Sequence, residues 1–340
     1  MTVSIGIDIG GTKVAAGLID DTGQILAEGR RDTPAQDPGA IADQVAALVY
    51  ELAHQSQEPV QGVGVACAGF INAEGTHVLF APNLAWRDEP LKQRLSELID
   101  YPVTIDNDAN AAAWGEFRHG AAHDADDMLL ITIGTGVGGG IVSRGRLLRG
   151  AYGIGAEIGH MRVVPDGHRC GCGNRGCFEV YGSGSALVRE ARELVATGSP
   201  LAAALRETCG GDPARLVGAD VTAAAEAGDE ASRELLADLG RWIGEGAASL
   251  GAVLDPELIV IGGGVVEAGD LLLEPVRAAF ARNLIGRGYR PAPEIVPAQL
   301  GNKAGMIGAA SLALEEVRTG RREAEQSVPT HPADPAPGQA

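Results

Sequence analysis

Two stretches of this chain repeat one arrangement: a β-rich run, a glycine turn and a second β-rich run. The first begins at Val3, passes Asp8, turns through Gly10, Gly11, Thr12 and Lys13, and resumes from Val14 to Ile19. The second begins at Met128 and Leu129, turns through Gly134, Thr135, Gly136, Gly138 and on to Gly140, and resumes with Ile141 to Ser143. Apolar β-formers flanking glycine read as hairpins, and their recurrence implies two related halves. Glycine in such a turn lets backbone N–H groups approach an anion, and the Thr12 hydroxyl and Lys13 ammonium add donors for phosphate oxygens. A plain hairpin turn explains the first turn equally well when it is taken alone. Neither turn is a P-loop, because the Gly-x-x-x-x-Gly-Lys-[Ser/Thr] spacing occurs nowhere in the chain. Gly134 to Gly139 does match Gly-x-Gly-x-x-Gly. A dinucleotide turn must open a helix, however, and this one leads into the strand-like Ile141-Val142.

Between the hairpins the pattern alternates. Ile41, Val45, Leu48, Val49 and Leu52 fall on one helical face, Val60 to Cys67 reads as a buried strand, and Leu91, Leu95, Leu98 and Ile99 mark a second amphipathic helix. Val103 then opens a short strand that runs through Asp106, Asn107 and Asp108 into an alanine-rich helix. Open α/β sheets place ligands at the carboxyl ends of their strands. Helix capping accounts for one of these three polar residues but not for all of them. Further on, the chain is largely helical. A long amphipathic segment from Asp229 to Leu254 stops at Asp255-Pro256, and a buried strand from Leu258 empties into Gly262, Gly263 and Gly264. That glycine turn suits a nucleoside packed on bare backbone, and a simple strand-to-helix turn accounts for it as well. A last helix is expected from Ala304 to Val317. From about Thr319 the chain lacks periodicity and reads as a disordered tail.

Three of the five cysteines, Cys170, Cys172 and Cys177, crowd into eight residues, with His160 and His168 nearby. Thiolates with an imidazole are the donor set of a closed, structural zinc site. Cys67 and Cys209 are isolated, so no disulfide framework is implied. Spacing leaves either histidine as the fourth ligand. Glu157 and Glu179 bracket the cluster, where a rigid metal loop would pre-position both carboxylates for a polyhydroxylated substrate. Solvated surface glutamates are the plainer reading of each.

At 340 residues the chain has material for two domains with a cleft between them. A formal net charge of −18 argues against nucleic-acid and anionic-membrane partners, and against polyphosphate, which wants a basic track. There is no signal pattern and no apolar run near the roughly 18 residues of a membrane span, so a cytoplasmic protein is expected.

Taken together these motifs resemble the ROK family of sugar kinases, of the actin and hexokinase class. The resemblance covers Ile5 to about Val317 and is greatest to the glucokinases of actinobacteria. Asp8-Ile-Gly-Gly-Thr12 looks like the family's first phosphate motif, Gly134 to Gly140 the second, and Gly262-Gly-Gly264 the adenosine motif. Asn107-Asp108 looks like the catalytic pair. Glu157-x-Gly-His160, followed by Cys-x-Cys-Gly-x-x-Gly-Cys-x-Glu179, looks like the family signature.

The resemblance implies an α/β, two-lobed actin/hexokinase-like ATPase fold of duplicated RNase H-like domains with a structural zinc loop. Residues 1–114 with 300–318 would form the smaller lobe, residues 115–299 the larger, and 319–340 the tail. It implies phosphorylation of glucose by ATP with Mg²⁺, with Asp108 as general base. Asn107, Glu157, His160, Glu179, Gly69 and Asn83 would bind sugar. Asp8, Gly10, Gly11, Thr12, Lys13, Gly134, Thr135, Gly136, Gly138 and Gly262 to Gly264 would bind nucleotide and its cation. His160, rather than His168, would join Cys170, Cys172 and Cys177 on Zn²⁺. The implied alternatives are kinases for N-acetylmannosamine, N-acetylglucosamine, mannose or fructose, and a non-catalytic sugar sensor. Relatives that are repressors carry a DNA-binding helix-turn-helix; the chain opens on the first phosphate motif, so that role is not expected. A homodimer or homotetramer is.

Overall fold

The computed structural model describes residues 1–327, with side chains as far as Thr319. The first half contains β1 (Val3–Ile9), β2 (Lys13–Asp20), β3 (Ile25–Asp32), helix α1 (Pro38–Gln55) and β4 (Val60–Cys67). It continues with the short β5 (Phe70–Ile71), β6 (Val78–Phe80) and β7 (Arg87–Glu89), then α2 (Leu91–Leu98), β8 (Val103–Asn107) and α3 (Asp108–His119). The second half contains β9 (Met128–Ile133), β10 (Val137–Ser143) and β11 (Arg146–Leu147), then helices α4 (Glu179–Gly182), α5 (Gly184–Ala196), α6 (Ala203–Thr208), α7 (Gly218–Glu226) and α8 (Glu230–Leu254). It closes with β12 (Leu258–Gly262), α9 (Asp270–Asn283), β13 (Glu294–Pro297) and α10 (Ala304–Ser327).

Both expected hairpins form, β1 with β2 and β9 with β10. They seed two five-stranded sheets of the same design, β3-β2-β1-β4-β8 and β11-β10-β9-β12-β13. In each, three strands form an antiparallel meander and two more add in parallel. The repeated topology is the duplication that the doubled hairpin implied. In the first sheet Asp8, Ala66 and Asp106 stand in one row across β1, β4 and β8. The Asp8–Lys13 turn, the Ala68-Gly69 turn and the Asn107-Asp108 pair therefore emerge at the same sheet edge.

Helix α1 forms because Asp37 caps it, its carboxylate accepting from Ala40 N, and Pro38 fits the first turn. It buries Ile41, Val45, Leu48, Val49 and Leu52 against the first sheet. Helix α8 ends at Asp255, which takes a left-handed φ of 49° before Pro256. Each sheet has its own core, and a third cluster joins them: Ala113 and Trp114 of α3, Ala309 of α10, and Leu130 and Val260 of the second sheet. Helices α3 and α10 approach so closely that a Cβ on Gly308 would lie 1.7 Å from the Ala111 carbonyl oxygen. Helix α10 runs on to Ser327, past the expected end at Val317, because no proline or glycine pair interrupts it there. The rest of the expected tail, 328–340, lies outside the described residues. Among the described residues no helix is long and apolar enough to cross a membrane.

Candidate active site

Asp108 opens α3, and Asn107 caps that helix by accepting from Ala109 N at 2.9 Å and Asn110 N at 3.1 Å. A cap of this kind is worth about 1 kcal/mol to the helix. It also fixes the direction of the residue that follows. Asn107 Nδ2 donates to the Gly69 carbonyl at 3.1 Å, tying the cap to the turn after β4. Burial raises the pKa of Asp108, opposed by the Ala109 amide that donates to its Oδ1 at 2.9 Å.

Two cavities meet at this carboxylate. The smaller, of about 140 Å³, is lined by Gly69, Phe70, Asn107, Asp108, Gly138 and Glu157, among others. The larger, of about 430 Å³, takes in Asp8, Asp108, Gly134 to Gly138, Glu179, Gly262 and Gly263. Asp108, Ala109 and Gly138 belong to both walls. Burial, then the neighbouring Asp108, push Asp8 up to about 6, with Lys13 pulling the other way. Glu157 is likewise raised, first by burial and then by Asp108 and Glu179, with His160 opposing.

The glycine turns take up the expected positions. Gly10 N donates to the Lys13 carbonyl at 2.9 Å, and the exposed Thr12 and Lys13 lie at the tip. Gly134 to Gly136 form the second tip before β10 begins, so the glycines do lead into a strand. Gly263, at φ +87°, sits on the Ile133 backbone, where a Cβ would come within 2.3 Å of its carbonyl oxygen. Behind it, a cavity of about 970 Å³ runs from Gly134 and Thr135 to Gly264 and Val265, walled by α5 and α7. Leu187, Val188, Leu216 and Val217 give it apolar sides, and Arg189 and Arg192 supply charge.

His160, Cys170, Cys172 and Cys177 present ligand atoms that all lie within 4.8 Å of one another. His160 Nδ1 is 3.7 Å from Cys170 Sγ, and the Cys172 and Cys177 sulfurs are also 3.7 Å apart. His168 is elsewhere, its ring against Tyr181 at 5.6 Å. Three thiols and an imidazole at this separation fit a tetrahedral zinc ion.

Three expected sugar residues, His160, Asn83 and Glu179, are not in the wall of the smaller cavity. Asn83 is exposed beside Gly11, whose Cβ would lie 3.1 Å from the Asn83 Cβ. Glu179 accepts from Cys170 Sγ at 3.0 Å and turns its other oxygen toward Gly136, so it spans the thiol cluster and the second glycine turn.

The family model for ROK proteins matches residues 4–316. The chain belongs to the ROK family. It is 44% identical over 315 residues to a glucokinase of Streptomyces coelicolor, covering 93% of this chain and 98% of that one. An N-acetylmannosamine kinase of Escherichia fergusonii is 36% identical, with 92% and 99% covered. Among solved structures, a ROK family glucokinase from Streptomyces griseus in complex with glucose and AMPPNP superposes with a TM-score of 0.82 at 45% identity, covering 92% and 99% of the two chains.

Sequence patterns did not reveal the walls of the 970 Å³ cavity, since α5 and α7 carry no motif beyond ordinary amphipathic spacing. They also missed Glu116, a fully buried carboxylate on α3. It accepts from Ala121 N, Gln299 N and Leu300 N at 2.8–3.1 Å and so pins the crossing from β13 to α10.

Proposed function

We propose that this ROK protein transfers the γ-phosphoryl group of ATP to the 6-hydroxyl of glucose. One observation carries the reading: a single half-buried carboxylate, Asp108, lies in the shared wall of two adjoining cavities, a small one that Asn107 and Glu157 also line, and a larger one built from two glycine turns. An acceptor hydroxyl in the first and a phosphoryl donor in the second would meet beside it. The glucokinases of Streptomyces support the choice of substrates.

In this mechanism Asp108 accepts the hydroxyl proton as the sugar oxygen attacks, a role typically worth about 10²- to 10⁴-fold. Its raised pKa makes it a better proton acceptor than an ordinary aspartate. Asn107, Gly69, Glu157, His160 and Glu179 hold the remaining hydroxyls, and Asn83, beside Gly11, would have to swing in to join them. The Gly10–Lys13 and Gly134–Gly138 turns orient the phosphates, because phosphoryl transfer asks mainly for positioning and charge stabilisation. The cavity beside Gly264 takes the adenosine. Asp8 would hold Mg²⁺, which when bound supplies positive charge to the phosphate oxygens; its buried carboxyl suits a dication. His160, Cys170, Cys172 and Cys177 would hold a structural Zn²⁺ that stiffens the segment between Glu157 and Glu179.

We take residues 1–114 with 300–318 as one lobe and 115–299 as the other, on the support of their separate cores. Closure of the two over the sugar would exclude water as a competing acceptor. The test is a spectrophotometric assay of about ten sugars with ATP and polyphosphate in parallel. Glucose with ATP should give the highest kcat/KM; N-acetylmannosamine or polyphosphate exceeding it would replace the assignment.

A further inference from the structure

Asp106 stands two residues before Asp108, and its side chain is only 5% exposed. Its Oδ1 accepts from Asn107 N at 2.8 Å and from Asn110 Nδ2 at 3.0 Å. Its Oδ2 takes both Nε and Nη2 of Arg149 at 2.7 Å. Arg149 comes from the segment that follows the other sheet's edge strand, two residues beyond β11. The Arg149 carbonyl accepts from Gly155 N at 2.8 Å, which closes a short loop whose far end delivers Glu157 to the smaller cavity. That loop lies on the first half of the molecule, with Gly153 against the backbone of Ile71 and Asn72. Among the described residues, Arg149–Asp106 is the one ion pair that joins a strand of the first sheet to the segment that follows β11.

We propose that Arg149 is a positioning residue for the acceptor sugar: through Asp106 it fixes Asp108, on one lobe, relative to Glu157, on the other. The proposal rests on the sugar-kinase reading of the site and adds to it a residue that touches neither substrate. Arg149 is 40% exposed, so solvent screens the pair and its contribution to stability is modest. Its effect lies in geometry. Asp106 sits between the guanidinium and the cap of α3, so loss of the Arg149 contact lets the end of β8 and the Glu157 loop move independently of each other. The sugar must reach Glu157 and the Asn107-Asp108 pair at once, so losing their fixed spacing weakens its binding more than it slows the chemistry. The nucleotide cavities contain neither residue, and they should be indifferent.

The experiment is steady-state kinetics of the full chain carrying Arg149→Met, Arg149→Lys, Asp106→Asn and the Arg149→Met/Asp106→Asn pair, with melting curves alongside. Arg149→Met should raise the glucose KM by about 10- to 100-fold, lower kcat less, and leave the ATP KM within about twofold. Lysine keeps the charge but not the two-donor contact, so Arg149→Lys should recover part of the loss. The double variant should be no worse than the more impaired single one, because both remove one contact. A merely structural role would lower the melting temperature and the active fraction while leaving the glucose KM alone. An unchanged glucose KM in a folded variant, or equal rises in both KM values, overturns the proposal. Should Arg149→Met not fold, the glucose KM of Arg149→Lys decides in the same way. Wild-type protein that fails to phosphorylate glucose refutes the underlying kinase reading, whereas active wild type with indifferent Arg149 variants refutes this proposal alone.

Discussion

Asp108 and Asp8 both line the larger cavity, and each carboxyl is harder to ionise than an ordinary aspartate because burial disfavours its charge. Both must be ionised for the proposed chemistry, one to accept a proton and the other to face a cation. As pH falls through the raised value of Asp8, about 6, its charged form is lost. The acid limb of kcat/KM should therefore fall near pH 6, and higher free Mg²⁺ should move it downward, since the cation favours the ionised form. A limb near pH 4 would mean that neither carboxyl is strained in the working enzyme. The histidines give a second residue-scale test. His160→Ala should lose both zinc and glucose affinity, whereas His168→Ala should keep about one zinc per chain; the reverse result, by metal analysis and glucose titration, would overturn the ligand set. Spacing could not choose between these histidines, because loop distance along the chain does not say which side chain turns inward. The strand end carrying Asp106, Asn107 and Asp108 was legible as a strand running into a helix, with Asn107 as its cap. Arg149 and Glu116 were not, because their partners lie far away in sequence and no local pattern marks them.

At the scale of elements, the two hairpins were readable because apolar β-formers and glycine turns are local signals, and their repetition marked two related halves without giving the strand order of either sheet. The short β5, β6 and β7 were not, being two or three residues each and too brief to show a period. The helices between Gly184 and Glu226 were visible only as helical composition, so the cavity they wall had no sequence trace. The second glycine turn has a specific consequence. A Cβ on Gly136 would meet Glu179 Oε2 at 2.7 Å, and a larger side chain would also crowd the 430 Å³ cavity. Gly136→Val should raise the KM for ATP by tenfold or so, the scale of about 1.4 kcal/mol, with a much smaller change for glucose. A collapse of glucose affinity instead would assign this turn to the sugar.

For the molecule as a whole, two sheets of one topology place their glycine turns and strand ends around a common cleft, and α3 and α10 pack between them. The duplication was visible in the sequence. The way the halves are joined was not, since it depends on contacts such as Gly308 on Ala111 and Glu116 on Leu300. The central claim is that this arrangement works as an ATP-dependent glucose kinase with Asp108 as its base. The most direct measurement is the glucose-dependent turnover of ATP by wild type, Asp108→Asn and Asp106→Asn, with glucose binding titrated for each. Asparagine at 108 keeps the shape but cannot accept the proton, so kcat should fall by about 10²- to 10⁴-fold while glucose still binds. Asp106→Asn should act mainly on the glucose KM and cost kcat no more than about tenfold. Near-normal turnover by Asp108→Asn, or an equal loss of kcat in both variants, would contradict the account.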